Sequence, residues 1–248
     1  MAPTLNQALA DQTVLLTRPK ASSLELAEAL SALGASIMYH PAVTISPGPP
    51  ISPHILENIA NQHYDGIIFT SARSAHFYFT QQPTPPPTDL PAFSVGPKTT
   101  QALDSCWVGP IHEASTHRAI ALAKTINEVF RSPSALLFPC SNLAHKTLEE
   151  ELGKFGHTTT RLELYITEPS PPVDEPIELE PGTWIVLSSP SAAQGLTNIT
   201  GSLNQIRIAC IGPTTAEAAV KLGLSVEVIS KQPSARGLCQ AITEACRG

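Results

Sequence analysis

The chain has 248 residues, about two-fifths of them hydrophobic, with a formal net charge of −6. That is enough apolar material for ordinary cores. No apolar run approaches the roughly 20 residues of a membrane span, and the acidic balance without any Lys/Arg-rich run argues against a nucleic-acid partner.

In chain order, "MAPTLNQALADQ" lacks the basic and apolar blocks of a secretory leader, so the expected location is the cytoplasm. An apolar strand, "VLLT", then ends in "TRP" (17–19), and a helix over "LELAEALSALG" is expected to start on a Ser22–Glu25 capping box and stop at Gly34. The stretch 35–53 alternates briefly and runs into a proline cluster, as an extended linker would. "GIIFTSARSA" (66–75) and "AFSVGPKTTQAL" (92–103) are each a buried strand, a turn and a helix start. Between them, "PTPPPTDLP" (83–91) reads as a proline-rich surface loop. "ALLFPCSNLAHKTLEEELGKFG" (135–156) repeats the strand–turn–helix–Gly pattern, and "TTTRLELYITEPSPPVDEP" (158–176) is a second alternating run that ends in prolines. "WIVLSSPSAA" (184–193) and "IACIGPTTAEAA" (208–219) follow, the latter with an expected Thr214–Glu217 capping box.

The second half echoes the first. Gly96 and Gly212 lie 116 residues apart, Ser71 and Ser189 lie 118 apart, and Arg118 pairs with Arg236 at 118. A third pair, residues 13–34 with 135–156, stands in the opposite order relative to its partners. Two similar domains give that order if the chain begins one, leaves to build the other, and returns. The expected first domain holds 1–38 and 172–248, and the second, inserted, holds 50–156. Residues 39–49 and 157–171 are then linker strands. Continuous apolar strands alternating with helices imply parallel sheets covered on both faces. The expected fold class is therefore α/β: two similar doubly wound domains joined by a two-stranded antiparallel linker.

In such sheets ligands sit outside the carboxyl ends of the strands. Here those ends are rich in Gly, Pro, Ser and Thr: Thr17 and Arg18; Ser71 and Arg73; Gly96, Lys98 and Thr99; Ser189 and Ser191; Gly212, Thr214 and Thr215. Helix starts at these turns would present backbone amides to an anion, and a cleft lined by them would suit a polyanionic small molecule. Any single hydroxyl among them reads first as a helix cap, and the set is more informative than its members. None of the turns is a GxGxxG or GxxxxGKS loop. The five scattered cysteines lack a CxxC and the eight histidines lack ligand spacing, so reduced thiols and no metal are expected.

Taken in order, "LLTRP", "IIFTSARSA", "VGPKTTQAL", "LELYIT", "LSSPSA" and "IGPTTAEAA" resemble the uroporphyrinogen-III synthases over nearly the whole chain. The resemblance implies a monomeric enzyme that needs no cofactor. It would close the linear tetrapyrrole hydroxymethylbilane, with loss of water and inversion of ring D, to uroporphyrinogen III for haem biosynthesis. It also implies that Tyr165 is the linker tyrosine facing the cleft, a candidate general acid, whereas the residues alone read Tyr165 as a packing side chain in a strand. Arg18, Arg73, Lys98 and Arg207 are the candidate carboxylate-binding side chains, although Arg207 reads better as a charged residue opening a strand. After "LLFP" the family's Gly-x-x-Arg-like pattern is replaced by "CSNLAHK", where His145 and Lys146 are the basic residues. The competing reading is a non-catalytic two-lobed binding or sensor protein for an anionic ligand.

Overall fold

Strand β1 (Thr13–Leu16) is followed by a 3-10 turn (Lys20–Ser22), helix α1 (Leu24–Ser31) and β2 (Ser36–Tyr39) in the structure, a computed structural model that describes residues 7–82, 87–116 and 118–247. Residues 1–6 of the N-terminal stretch and residues 83–86 of the proline-rich loop fall outside the described residues. The chain continues through β3 (Val43–Pro47), α2 (Pro53–Ala60), β4 (Gly66–Phe69), α3 (Ala72–Gln81), β5 (Ala92–Ser94), α4 (Pro97–Asp104) and β6 (Ile111–Glu113). It goes on through α5 (Ala119–Phe130), β7 (Ala135–Ser141), α6 (Thr147–Lys154) and the long β8 (Thr158–Pro169). It ends with β9 (Trp184–Leu187), α7 (Pro190–Ile199), β10 (Arg207–Cys210), α8 (Pro213–Lys221), β11 (Val226–Ile229) and α9 (Ala235–Ala245).

Two compact units result, residues 1–44 with 168–248 and residues 45–167. The first holds a sheet of order β11-β10-β9-β1-β2, the second a sheet of order β3-β8-β7-β4-β5-β6. Apart from β3–β8, their ladders are parallel. Matching β1 to β7 and β2 to β8 also matches β9, β10 and β11 to β4, β5 and β6, so the two sheets share one layout with the chain entering at different points. The segments expected as linkers form β3 and β8, which are neighbours in the second sheet. The Gly48 amide donates to the Leu164 carbonyl and the Ser170 amide to the Ala42 carbonyl, which makes the pair antiparallel.

Each sheet is buried on both faces, which is why its strands read as unbroken apolar runs. In the first unit Leu15, Ile185 and Leu187 pack on one side, and Val14, Leu16, Trp184 and Val186 on the other. In the second, Ile67, Phe69 and Leu137 face one cluster, and Ile68, Leu136 and Phe138 the opposite one. Each such side chain contributes about 1.5–3 kcal/mol by leaving water.

The repeat is visible in backbone angles. Ser71 caps α3 and Ser189 caps α7 with nearly equal angles, φ −160° and −164°. Gly96 and Gly212 both precede a proline in the first turn of their helices. Gly34 and Gly156, after α1 and α6, both take the left-handed region at φ +96° and +83°, where a Cβ would be strained. The third correspondence differs from the expected one. Arg118 precedes α5 as Ser234 precedes α9, so Arg118 matches Ser234 rather than Arg236.

Neither expected capping box forms. Ser22 is absorbed in the 3-10 turn, where its hydroxyl donates to the Pro19 carbonyl, and α1 starts after Ser23. Helix α8 starts at Pro213, so Thr214 lies inside it and Gly212 is the cap. Proline's fixed φ sets that start two residues earlier than the Thr–Glu pattern implies.

His157, at the head of β8, is 4% exposed, and neither ring nitrogen has a hydrogen-bond partner. Phe130 and Phe155 flank it at 6.3 and 6.5 Å. Burial lowers its pKa from 6.5, and the nearby Asp65 charge only partly opposes this. The folded protein therefore binds a proton less readily than the unfolded chain. The resulting stability is present above about pH 6.5 and is lost as pH falls through the lowered folded value. Melting temperature should fall between pH 7 and pH 5, and the fall should be smaller in His157→Leu; equal falls would show that other groups carry it.

Candidate functional site

In the second unit the carboxyl ends of β4, β5, β7 and β8 carry the candidate groups. The sheet order reverses its sense between β4 and β7, the place where open sheets leave a crevice. Ser71, just past β4, accepts from the Ser74 amide at 3.0 Å, and its Oγ lies 3.3 Å from the Tyr165 hydroxyl. The Tyr165 ring is 7% exposed. It stacks on Phe77 of α3, centroids 5.1 Å apart and planes 13° apart. Arg73, in the first turn of α3, holds its guanidinium 6.0 Å from the same ring. The body of Tyr165 packs as a strand tyrosine would, and its hydroxyl meets the cap of a helix N-terminus.

Past β5, Gly96 is extended at φ 164° and ψ 178°, with Pro97 opening α4. Lys98 is exposed, while Thr99 is covered at 4% exposure. Sequence reasoning missed what fixes this turn. Ser94 Oγ lies 2.6 Å from Thr100 Oγ1, and the Thr100 hydroxyl donates to Glu113 Oε2 at 2.5 Å. This chain of hydroxyls ties the start of α4 to the ends of β5 and β6. Its only sequence signal is a serine inside a buried strand, which is too common to read.

The turn after β7 carries the departure from the family pattern. His145 and Lys146 are both exposed there. The loop is gripped from beneath by Arg161 of β8. Its Nη1 and Nη2 each donate to the Ala144 carbonyl at 3.0 Å, and its Nε and Nη2 pair with Glu149 at 2.9 Å. The Glu149 hydrogen bonds raise the Arg161 pKa further, so the clamp stays charged.

In the first unit the corresponding turns follow β1, β9 and β10. Ser189 Oγ accepts from the Ala192 amide at 3.1 Å and sits 3.3 Å from Ser191 Oγ. Arg18 is exposed. Thr17 turns inward, 1% exposed, and donates to the Val186 carbonyl at 2.6 Å, so its hydroxyl ties β1 to β9. Thr214 is exposed, and Thr215, like its counterpart Thr99, is 4% exposed. The turn at Gly212 does not rest on a positive backbone angle. Its φ is −177°, and an added Cβ would meet nothing within 4 Å. Arg207 lies at the other end of β10. It pairs with Glu227 and covers the Trp184 ring at 4.1 Å, a structural role.

Burial pushes Cys140 and Cys210 up to about 11, with Arg161 offsetting only part of it at Cys140, so both remain thiols at neutral pH. Among the described residues no group of three His, Cys, Asp or Glu could hold a metal ion, and no helix is long and apolar enough to cross a membrane.

Fold and turns together define a class: a duplicated doubly wound α/β protein whose helix starts gather hydroxyls, backbone dipoles and a tyrosine at the strand ends. The family model described as uroporphyrinogen-III synthase HemD matches residues 1–240, and the chain belongs to that family. A uroporphyrinogen-III synthase of Chlorobaculum parvum is 29% identical, over 95% of this chain and all of its own. The chloroplastic one of Oryza sativa is 26% identical, over 94% of this chain and 80% of its own. In fold the chain resembles the crystal structure of uroporphyrinogen-III synthetase from Helicobacter pylori, with a TM-score of 0.66, 14% identity, and 92% and 97% of the two chains covered. A mutant uroporphyrinogen III synthase from Thermus thermophilus matches at TM-score 0.54 and 13% identity, covering 95% and 99%.

Proposed function

We propose that this chain closes hydroxymethylbilane to uroporphyrinogen III, with loss of water and inversion of ring D, as a monomer in the cytoplasm. Membership of the family supports the reaction. The observation that carries the chemistry is the Tyr165 hydroxyl, 3.3 Å from Ser71 at a helix start.

The substrate's terminal hydroxymethyl group is already prone to leave, because the adjoining pyrrole nitrogen supplies electrons as the C–O bond breaks. Tyr165 donates its proton to the departing hydroxyl, which leaves as water. The resulting azafulvene is attacked by the substituted carbon of ring D, giving a spiro intermediate whose rearrangement inverts that ring. The proton finally lost from a pyrrole carbon restores the phenol. Unaided, the chain closes through the unsubstituted carbon, so the protein's task is to hold the ends in one geometry.

The substrate's acetates and propionates must be held although the protein carries a net charge of −6. Local donors do this: the positive ends of α3, α4, α7 and α8, with Ser71, Ser189, Ser191, Gly96, Gly212, Thr214, Arg18, Arg73 and Lys98 around them. Thr17, Thr99 and Thr215 shape the turns from within. This chemistry calls for no cofactor. Freshly made hydroxymethylbilane should yield uroporphyrinogen III, separated from the type I isomer by chromatography after oxidation. Type I alone, at the uncatalysed rate, would leave the non-catalytic binding protein as the better reading.

A further inference from the structure

Tyr165 reaches Ser71 only because β8 breaks its alternation. Successive strand residues point to opposite faces. On β8, Arg161 lies over Phe138, in the cluster that also holds Cys140. Leu162 and Leu164 belong to the opposite cluster. A regular strand would send Tyr165 to the Arg161 side. Instead Leu164 and Tyr165, adjacent in sequence, are both buried in the cluster of Phe69 and Leu137.

The ladder shows the cause. Cys140 pairs with Glu163, but the next residue, Ser141, pairs with Tyr165. Leu164 is an extra residue, a β-bulge, and bulges re-aim the side chains beside them. Strand β7 ends at Ser141, so on that side of β8 no further ladder residue pins the bulge.

Asn142 takes that place. Its backbone amide donates to the Tyr165 carbonyl at 3.2 Å. Its side-chain oxygen accepts from the Thr167 amide at 2.9 Å, and its Nδ2 donates to the Thr167 carbonyl at 3.4 Å. The side-chain amide thus copies a strand's donor and acceptor two residues beyond the tyrosine. On the other side, the Leu164 carbonyl accepts from the Gly48 amide at 2.8 Å and from Gln81 Nε2 at 3.1 Å.

We infer that Asn142 is a positioning residue for the reaction: its side chain, paired with the Thr167 backbone, locks the bulge that turns Tyr165 toward Ser71. This rests on the reading of Tyr165 as the general acid. Asn142 touches neither the hydroxyl nor, in this role, the substrate. It acts by holding one register.

Two substitutions separate its parts. Asn142→Leu removes both side-chain hydrogen bonds at similar volume. Asn142→Asp keeps the acceptor for the Thr167 amide and loses only the longer bond. Turnover of hydroxymethylbilane to the type III isomer is measured for each, alone and combined with Tyr165→Phe. A ring-carbon NMR signal of 13C-labelled tyrosine, assigned by its loss in Tyr165→Phe, reports the ring's surroundings.

Asn142→Leu should lower kcat about 10- to 100-fold, in line with the cost of a misplaced catalytic group, with little change in KM. Asn142→Asp should recover most of that loss. The Leu variant should shift or split the Tyr165 signal and leave the other three tyrosines alone. With Tyr165→Phe present, Asn142→Leu should cost nothing more. Additive losses, or an unmoved Tyr165 signal, would overturn the proposal. If Tyr165→Phe is fully active, the general-acid reading falls by itself, and with it any catalytic role for Asn142. The NMR signal then still decides whether Asn142 orients the ring.

Discussion

Gly195→Ala is expected to destabilise the first unit by about 3 kcal/mol or more, the upper end of what overpacking costs and a large share of the roughly 5–15 kcal/mol that holds a domain folded. Gly195 lies within α7, where an alanine would ordinarily help by about 1 kcal/mol. Here the helix presses on the backbone where β3 begins. An added Cβ would sit 1.7 Å from the Ala42 carbonyl oxygen and 2.9 Å from the Ser170 nitrogen. Those two atoms are bonded to each other at 2.9 Å. Asn198, also on α7, donates to the Ser170 carbonyl at 2.7 Å, and Ser170 Oγ donates to the Pro41 carbonyl at 3.0 Å. The helix cannot step back without losing the Asn198 bond, and the strand cannot yield without losing Ser170–Ala42. Gly153, within α6, is the matched control, since nothing lies within 4 Å of its added Cβ. Gly153→Ala should raise the urea midpoint slightly while Gly195→Ala lowers it sharply. Equal midpoints for the two variants would mean that the close approach of α7 relaxes freely.

The contrast between these glycines marks where sequence reading stops. Gly153 and Gly195 look alike in sequence, each a lone glycine in a helical pattern. The strands were legible because burial on both faces leaves apolar runs such as "WIVL", and the shared layout was legible because two copies of one motif can be compared. Ser71 and Ser189 read correctly as caps, since that geometry is local. The Ser22–Glu25 and Thr214–Glu217 boxes failed for a local reason too: a 3-10 turn and a proline moved the helix starts by a residue or two. The hydroxyl of Thr17, a candidate by its place at a strand end, turns onto the neighbouring strand, a direction that depends on that neighbour and is not written locally. The bulge at Leu164 was hidden altogether. "TTTRLELYITEP" reads as clean alternation, which would put Tyr165 on the wrong face. Only the pairing of Ser141 with Tyr165 reveals the slip. Asn142 is invisible for the same reason, since its partner lies 25 residues on.

Tyr165→Phe is expected to lower kcat for type III formation by about 10²–10⁴-fold, the usual contribution of a placed general acid, with the melting temperature nearly unchanged. The two halves of that expectation come from different parts of the side chain. The ring supplies the packing: it is buried, and it stacks on Phe77. Phenylalanine keeps all of this. The hydroxyl supplies one contact, at 3.3 Å from Ser71, long for a bond between hydroxyls. Ser71 keeps its own bond from the Ser74 amide when the phenol is gone, so no buried polar atom is stranded there and little stability is lost. On the reading of Tyr165 as the general acid, what disappears is the proton for the leaving hydroxyl. The loss should therefore fall on kcat, with KM and product binding close to those of the parent, because a group that acts only as the C–O bond breaks adds nothing to ground-state affinity. Ser71→Ala provides the complementary measurement. It removes the phenol's partner and a helix cap, so it should cost about 1 kcal/mol of stability and less activity than Tyr165→Phe. Full turnover by Tyr165→Phe would return the residue to packing alone and leave bond cleavage to the pyrrole nitrogen unaided. A fall in melting temperature as large as the fall in rate would show instead that the hydroxyl holds the fold.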